Sequence, residues 1–199
     1  MSKVINVCGF DPSTAHWGTA FGSVNIETGE LTITGLKLVE TESEKSKGVT
    51  KQSDDLRRAR VVYEGMVESV KGMTVVFSEI PFMNPGSYAS ANFNSGLVTG
   101  VLASCDVPVI QVSPREVKMA SVGIATATKE EMIEWAVARH PEAPWLMRTL
   151  KGKQVYKKSN EHLADAVAAI HAGLKTDQFR QLMNLMRHAK MKPLLGATI

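Results

Sequence analysis

The sequence predicts an α/β fold in which a five-stranded mixed sheet is flanked by helices. Five short apolar runs have the composition of strands, and segments with helical spacing lie between the later runs and after the last one. The chain has 199 residues, of which 44% are hydrophobic. That is enough for one respectable core, and this length favours a single domain.

The first three predicted strands form an antiparallel meander. A continuous apolar run spans residues 4–10, a second strand is predicted over 17–25, and alternation from Leu31 indicates the third. Residues 50–70 then have helical spacing, and a fourth strand is predicted over 73–78. The chain therefore changes from strands to a helix and back to a strand.

The middle of the chain is rich in small residues. Residues 87–104, which include Gly96 and Gly100, predict a helix that a neighbouring segment can approach closely. Its polar residues exclude a membrane span. A fifth strand is predicted over 107–113.

Two capping boxes predict where the next helices begin. Ser113 stands three positions before Glu116, and Thr128 stands three positions before Glu131. In each pair the hydroxyl and the carboxylate can satisfy each other's free backbone N–H groups. Pro141 is expected to end the second of these helices.

The last third of the chain is predicted to hold a loop and two helices. Residues 142–159 have no clear periodicity and predict an inserted loop. Ser159 is expected to cap the next helix, which Gly173 ends. A final amphipathic helix is predicted over 177–190.

Positive charge is concentrated in two parts of the chain. The formal net charge of +3 and the isoelectric point of 8.8 are too mildly basic to establish nucleic-acid binding by themselves. Every charged residue between Glu142 and Glu161 is basic, however, and the tail carries basic residues against the single acid Asp177. These clusters predict contacts with DNA phosphates, with a solvated loop and tail as the alternative. They comprise Arg148, Lys151, Lys153, Lys157 and Lys158, and Lys175, Arg180, Arg187, Lys190 and Lys192.

The cysteines and the apolar segments indicate the cellular compartment of the protein. Cys8 and Cys105 lie in apolar surroundings without the spacing of a zinc site or a disulfide framework, which predicts buried reduced thiols. No segment approaches the ~18 apolar residues of a membrane span, and the start lacks the long apolar stretch of a signal peptide. We expect a soluble cytoplasmic protein without membrane attachment.

Four polar residues occupy positions typical of a metal site. Asp11 and Glu79 each end a predicted strand, and ligands in open α/β sheets gather beyond the carboxyl ends of strands. His162 and Asp165 are three apart in a helical pattern, so their side chains share a face. Mg²⁺ prefers oxygen ligands and keeps positions open for water and phosphate. The set therefore favours a phosphodiester nuclease.

Each of these residues also has a purely structural interpretation. Asp11 precedes a proline and could organise a turn, and Glu79 could be an exposed strand terminus. His162 and Asp165 could form the wet face of an amphipathic helix. Only the combination of these four residues, in this order along the chain, indicates a catalytic metal site.

Four stretches resemble the motifs of RuvC-type Holliday-junction resolvases of the ribonuclease H-like superfamily. GFDPSTAHWGTAFG resembles the opening motif, with Asp11 at the first catalytic acid, and VVFSEIPFMN resembles the second, with Glu79 at the catalytic glutamate. PVIQVSPREVKMASVG resembles the third, with Lys118 at an active-site lysine. HLADAVAAI resembles the fourth, with Asp165 at the last carboxylate and His162 at a position that the family fills with Asp or His.

This resemblance spans residues 4–174 and implies a ribonuclease H-like fold with a metal-dependent activity. A homodimer would resolve four-way DNA junctions by paired nicks. Lys118 would act beside the metal ions, and the helix over 87–104 would be the candidate dimer interface, with ordinary packing on the sheet as its alternative. Two Mg²⁺ ions, or Mn²⁺ in their place, would be held by Asp11, Glu79, His162 and Asp165. DNA would contact the aromatic residues Phe82 and Tyr88, together with Arg115, Lys118, Arg148, Lys151, Lys153, Lys157 and Lys158. Core packing is the alternative for the two aromatic residues, and a solvated position on a helix is the alternative for Lys118.

Two features depart from the bacterial members of this family. The basic segment 143–158 is longer than their loop, and the tail after Lys175 extends past their usual end. They suggest a divergent, phage-type relative that works in the host cytoplasm. We divide the chain into a nuclease domain, residues 1–175, and a basic helical extension, residues 176–199.

Three other functions are alternatives to a junction resolvase. Flaps, forks and three-way junctions share an exposed branch point and are alternative substrates. A non-catalytic junction-binding protein is an alternative class. Actin-like sugar kinases also have an acidic residue after the first strand, but they need two such domains, and this chain has no second phosphate loop.

Overall fold

A five-stranded sheet forms the centre of the molecule in the computed structural model, which describes residues 4–80 and 89–191. Its strands are β1 (Val4–Asp11), β2 (His16–Asn25), β3 (Leu31–Glu40), β4 (Val75–Glu79) and β5 (Val109–Val112). Their order is β3-β2-β1-β4-β5, with an antiparallel meander of the first three strands and with β4 and β5 parallel to β1. The predicted mixed α/β sheet is confirmed.

Six helices cover the two faces of this sheet. They are α1 (Lys51–Ser69), α2 (Ala89–Ala103), α3 (Pro114–Ala120), α4 (Lys129–Arg139), α5 (Asn160–Gly173) and α6 (Asp177–Met191). Helices α1 and α2 pack on one face, and α3 to α6 pack on the other. Both predicted capping boxes are present at the starts of α3 and α4. Ser159 occupies the N-cap position of α5, but its side chain makes no capping hydrogen bond, so that predicted cap is wrong.

The second half of strand β1 is buried on both sides, which explains its run of residues without a charged or polar side chain from Val7 to Phe10. Val7 belongs to the core under α5, whereas Cys8 and Phe10 belong to the core under α1 and α2. Successive side chains of a strand point to opposite faces, so an interior strand between two helical layers has no polar face. Asp11 is the first polar residue on the α5 side after this run.

Helix α5 lies unusually close to the sheet because glycines face it. A methyl group built on Gly9 would overlap the carbonyl oxygen of Ala166 and lie 2.7 Å from a side-chain carbon of Ile170. A methyl group on Gly18 would overlap the carbonyl oxygen of His162 and lie 2.6 Å from its carbonyl carbon. The absence of a Cβ atom at these two strand positions therefore sets the depth at which α5 packs.

The predicted loop over 142–159 is wrong in one respect, because it contains a β-hairpin. Strands β6 (Met147–Leu150) and β7 (Lys153–Tyr156) pair with each other and form a separate two-stranded sheet. Each strand has only four residues, and almost all of them are exposed. A short strand that is exposed to solvent on both faces lacks the alternation of polar and apolar residues by which strands are recognised.

The cysteines are both free, and Cys8 is buried while Cys105 is half-buried. Burial raises the pKa of each thiol. This agrees with the predicted reduced thiols.

Within the two described ranges, no helix combines the length and the apolar character needed to cross a membrane.

Candidate active site

Asp11 and Glu79 lie side by side at the carboxyl ends of two neighbouring strands, which form one edge of the sheet across the strand direction. Each is the last residue of its strand, and the preceding residues, Phe10 and Ser78, are partners in the parallel β1–β4 ladder. Adjacent strands lie about 4.8 Å apart, and residues in register share a face. Both carboxylates therefore leave the sheet on the side that α5 covers.

Helix α5 brings the other two predicted ligands to the same edge. Gly18, the ladder partner of Asp11, faces the backbone of His162. Asp165 lies one helical turn further on and shares the face of His162. The close approach of α5 to the sheet thus places the helix side chains over the ends of β1 and β4.

His162 is held between two carboxylates. Its Nδ1 donates a hydrogen bond to Oδ2 of Asp11 at 2.7 Å, and its Nε2 lies 3.4 Å from Oε1 of Glu161. The same oxygen of Glu161 accepts a hydrogen bond from Nζ of Lys129 at 2.8 Å. This chain of contacts joins the start of α4 to the end of β1 and fixes the imidazole ring.

His16 packs on the outer side of this arrangement. Its ring stacks on that of His162, with centroids 4.7 Å apart and planes 6° from parallel. Its Nε2 lies 3.9 Å from Oε1 of Glu40. The ring of His162 is therefore restrained by stacking as well as by hydrogen bonding.

The electrostatics show that the carboxylates share one small volume. Burial, followed by the charges of Asp11 and Asp165, raises the pKa of Glu79 to about 8. Burial, followed by the charge of Asp11, raises the pKa of Asp165 to about 7. Burial alone would lower the pKa of His162, but the hydrogen bond and charge of Asp11 outweigh it and raise the pKa. Like charges close together in a partly buried site disfavour one another's ionised forms.

Lys118 lies on α3 within electrostatic reach of this cluster. Its positive charge lowers the pKa values of both Glu79 and Asp165, although less than burial and the neighbouring carboxylates raise them. The side chain is half-buried. Lys118 therefore lies near Glu79 and Asp165.

The donor set suits a hard divalent cation. As the side chains stand, no group of three or more His, Cys, Asp or Glu residues in the described parts of the chain is arranged to hold a metal ion. Asp11 is engaged with His162 in this arrangement. Nevertheless, three partly buried carboxylates that repel one another offer the oxygen ligands that Mg²⁺ prefers. The residues therefore fit such an ion in chemistry.

The predicted DNA contacts lie in three different situations. Phe82 and Tyr88 fall outside the described residues. Arg115 is exposed on α3, near the start of that helix. The remaining basic residues are all exposed on or beside the β6–β7 hairpin, and they are Arg148, Lys151, Lys153, Lys157 and Lys158.

Sequence reasoning missed three residues of this site. Glu161 could have been noticed, because it directly precedes His162 on a helix that begins one residue earlier. Lys129 is 32 positions away from the glutamate that it contacts, so no local pattern connects them. The stacking of His16 on His162 likewise depends on how α5 crosses the sheet.

The order and direction of the strands and the flanking helices give this chain a ribonuclease H-like α/β fold. Among solved structures, T. thermophilus RuvC in complex with a Holliday junction substrate matches with a TM-score of 0.58 at 20% identity, covering 84% of this chain and 92% of that one. Another Thermus thermophilus RuvC structure matches with a TM-score of 0.55 at 21% identity, covering 90% and 97%. The chain therefore has the RuvC-type form of the fold, as its motifs predicted.

A viral resolvase also resembles the chain, more distantly. The fowlpox virus resolvase, in complex with substrate Holliday junction DNA, matches with a TM-score of 0.47 at 11% identity, covering 92% of this chain and 99% of that one. No protein-family model and no curated protein sequence matches the chain.

Proposed function

We propose that this protein is an endonuclease that depends on divalent cations and resolves four-way DNA junctions by paired nicks. The observation that carries this proposal is the meeting of Asp11, Glu79, His162 and Asp165 at one edge of an RuvC-type sheet. T. thermophilus RuvC, whose fold is similar, has been seen with a Holliday junction substrate. We extend that class of substrate to this chain.

Asp11, Glu79, Asp165 and His162 would hold the cations. Mg²⁺, or Mn²⁺ in its place, would supply positive charge to the phosphate oxygens and lower the pKa of a water molecule when bound. The carboxylates of this chain would contribute the negative charge that attracts such ions. The raised pKa values of Glu79 and Asp165 reflect the crowding of these carboxylates in a partly buried place. Charge that is unfavourable in the free protein would thus become favourable in the loaded one.

Lys118 and the neighbours of His162 complete the proposed site. Lys118 would offset negative charge that develops on the phosphoryl oxygens, since its ammonium group already acts on Glu79 and Asp165. Glu161 and the ring of His16 hold His162 in the free protein, where its two ring nitrogens face Asp11 and Glu161. One of these two contacts would have to open for a ring nitrogen to bind a cation.

The test is nicking of a synthetic four-way junction in the presence of Mg²⁺. Glu79→Gln removes one proposed ligand charge with little change of shape, and we expect it to abolish nicking. Glu30→Gln is the matched control, because Glu30 is exposed in the turn between β2 and β3 at the opposite edge of the sheet. Calorimetric titration with Mn²⁺ should show binding to the wild type and to Glu30→Gln, and weakened binding to Glu79→Gln.

Each outcome of this test discriminates between functions. Equal nicking by the wild type and Glu79→Gln would refute the proposed site. Binding of the junction by the wild type without nicking would instead favour a non-catalytic junction-binding protein. Flap, fork and three-way substrates in the same assay would show whether the enzyme prefers four-way junctions.

Paired nicks at a four-way junction require two active sites, and we propose a two-fold homodimer that forms through α1 and α2. A methyl group built on Gly100 of α2 would meet no atom within 4 Å, so this small residue does not pack on the sheet. Beside it, Leu56 is 62% exposed and Tyr63 is 44% exposed. Together with Leu97 they line a shallow groove of about 400 Å³.

Light scattering on a sizing column tests this interface. Leu56→Asp should convert a dimer into a monomer because it places a charge in the groove. Leu185→Asp is the matched control, since Leu185 is 69% exposed on α6, and it should leave the dimer intact. A dimer that persists in Leu56→Asp and dissociates in Leu185→Asp would place the interface on α6 instead.

A further inference from the structure

The β6–β7 hairpin projects from the molecule on a tight turn. Lys151 and Gly152 connect the strands, with φ values of 49° and 76°. Two consecutive residues with positive φ are typical of a type I′ turn, whose twist matches that of paired strands. The hairpin pairs with no strand of the central sheet. Four residues per strand give it a length of about 13 Å.

The two faces of the hairpin differ in charge. Arg148 pairs with Val155, and Lys153 pairs with Leu150, so all four side chains lie on one face. The opposite face carries no charged residue and consists of Met147, Thr149, Gln154 and Tyr156. Lys151 adds a further positive charge at the tip. One face is therefore basic along its whole length.

The base of the hairpin is fixed to the helix that carries the active site. Asn160, the first residue of α5, is completely buried. Its side-chain oxygen accepts a hydrogen bond from the backbone N–H of Leu146 at 2.9 Å, and its amide nitrogen donates one to the carbonyl of Leu146 at 2.8 Å. The backbone N–H of Lys157 also donates to that carbonyl, at 2.9 Å.

This anchor has a geometric consequence. Asn160 stands two residues before His162 on the same helix. The orientation of the hairpin base is thus coupled to the position of the candidate active site. The hairpin is about 13 Å long, so its exposed face would offer a nucleic acid a contact in addition to the candidate active site.

We propose that the β6–β7 hairpin binds the phosphate backbone of a double-stranded DNA arm through the face that carries Arg148 and Lys153. This inference rests on the proposed function and adds a second contact to it. An isolated two-stranded hairpin is only marginally stable in water, and a charged one gains from a partner of opposite charge. A two-stranded ribbon also has dimensions that the major groove of a duplex accepts.

The test is DNA binding measured without divalent cations, so that its result does not depend on cleavage. Fluorescence anisotropy with a linear duplex and with a four-way junction, over a series of salt concentrations, gives Kd and its salt dependence. The test variant is the double substitution Arg148→Gln and Lys153→Gln. Both side chains are exposed, so the protein should remain folded, which thermal unfolding verifies.

We expect the double variant to bind both DNAs about tenfold more weakly at physiological salt. The slope of log Kd against log salt should fall by about two, because each lost phosphate contact removes about one released counterion. Lys153→Gln alone should give about half of that change in slope.

Two controls isolate the basic face. Thr149→Ala with Gln154→Ala alters the uncharged face of the same hairpin and should bind DNA as the wild type does. Lys71→Gln removes an exposed positive charge at the far edge of the sheet and should also bind normally.

An unchanged Kd and salt slope in the Arg148 and Lys153 double variant would overturn the proposal. Weaker binding in the Thr149 and Gln154 control as well would also overturn it, since charge on one face would not be the cause. A wild type that binds duplex through the hairpin yet never nicks a junction would refute the proposed function and leave this inference standing.

Discussion

Substitution of Gly18 by alanine should damage the active site without removing any of its functional groups. The new methyl carbon would lie 2.6 Å from the carbonyl carbon of His162 and would overlap the attached oxygen. Carbon atoms in favourable contact are about 3.5–4.0 Å apart, so strand and helix must separate by roughly 1 Å. Because the obstacle is backbone, no rotamer change can relieve it. Overpacking of this kind costs about 1–3 kcal/mol, and we expect the upper end of that range.

The same displacement should reduce activity. Asp11 is the ladder partner of Gly18, and it bonds the side chain of His162 directly. A shift of roughly 1 Å at that point is large enough to cost a catalytic constellation about a hundredfold in rate. We therefore expect Gly18→Ala to lower the rate of junction nicking at saturating protein as well as stability.

Urea unfolding and single-turnover nicking measure the two effects. Gly35→Ala is the matched control, because Gly35 is also a strand glycine and its nearest atom, in Phe21, would lie 3.4 Å from the new carbon. Alanine there should leave stability unchanged or raise it by about 0.5–1 kcal/mol. If Gly18→Ala proved as stable and active as Gly35→Ala, the explanation of how α5 is placed would be wrong.

Three further changes test other parts of the structure. The raised pKa of Glu79 means that the folded protein without cations keeps a proton that the unfolded chain has lost above about pH 5, so the free energy of unfolding should fall as pH rises from about 5 to 8. Urea unfolding in a chelator should show this decline, on the order of 1–3 kcal/mol from Glu79. Glu79→Gln should make the decline smaller and leave the part that the raised pKa of Asp165 causes. Equal slopes in both proteins would contradict the assignment. Asn160→Ala leaves the partly buried backbone N–H and carbonyl of Leu146 without their side-chain partners. It should lower the free energy of unfolding by about 2–4 kcal/mol and make the hairpin sensitive to protease. Unchanged stability would mean that water replaces the amide. Gly173→Ala places a methyl carbon in overlap with the buried ring of Phe77 and should lower the melting temperature by several degrees, about 2–4 °C for each kcal/mol. A melting temperature at or above that of the wild type would show that the ring can move aside.

The strands and helices that the sequence predicts well are those with a strong local signal. Strand β1 is a continuous apolar run, and the starts of α3 and α4 have side-chain caps that act within four residues. The hairpin over 147–156 has no such signal, since its strands are short and wet on both sides. Its turn depends on Lys151 adopting a positive φ, which lysine rarely does and which no composition rule anticipates.

The residues of the candidate site likewise divide into those with a local sequence signal and those without one. Asp11 and Glu79 could be predicted because each one closes an apolar strand, and His162 with Asp165 because they share a helix face. Lys129 and His16 could not, because they reach the site only through the packing of α4 and β2 against α5.

By itself, the sequence determined the α/β class, the order of the five central strands and the helices along the chain, and the identity of the four candidate ligands. These depend on hydrophobic periodicity and on capping, which act between residues close together in the chain. Only the tertiary structure decided how near α5 comes to the sheet, that His162 bonds Asp11, and that the basic segment forms a hairpin anchored by Asn160. Those features depend on contacts between residues far apart in the chain, such as His162 and Asp11, which are 151 positions apart, and a single sequence carries no local signal for them.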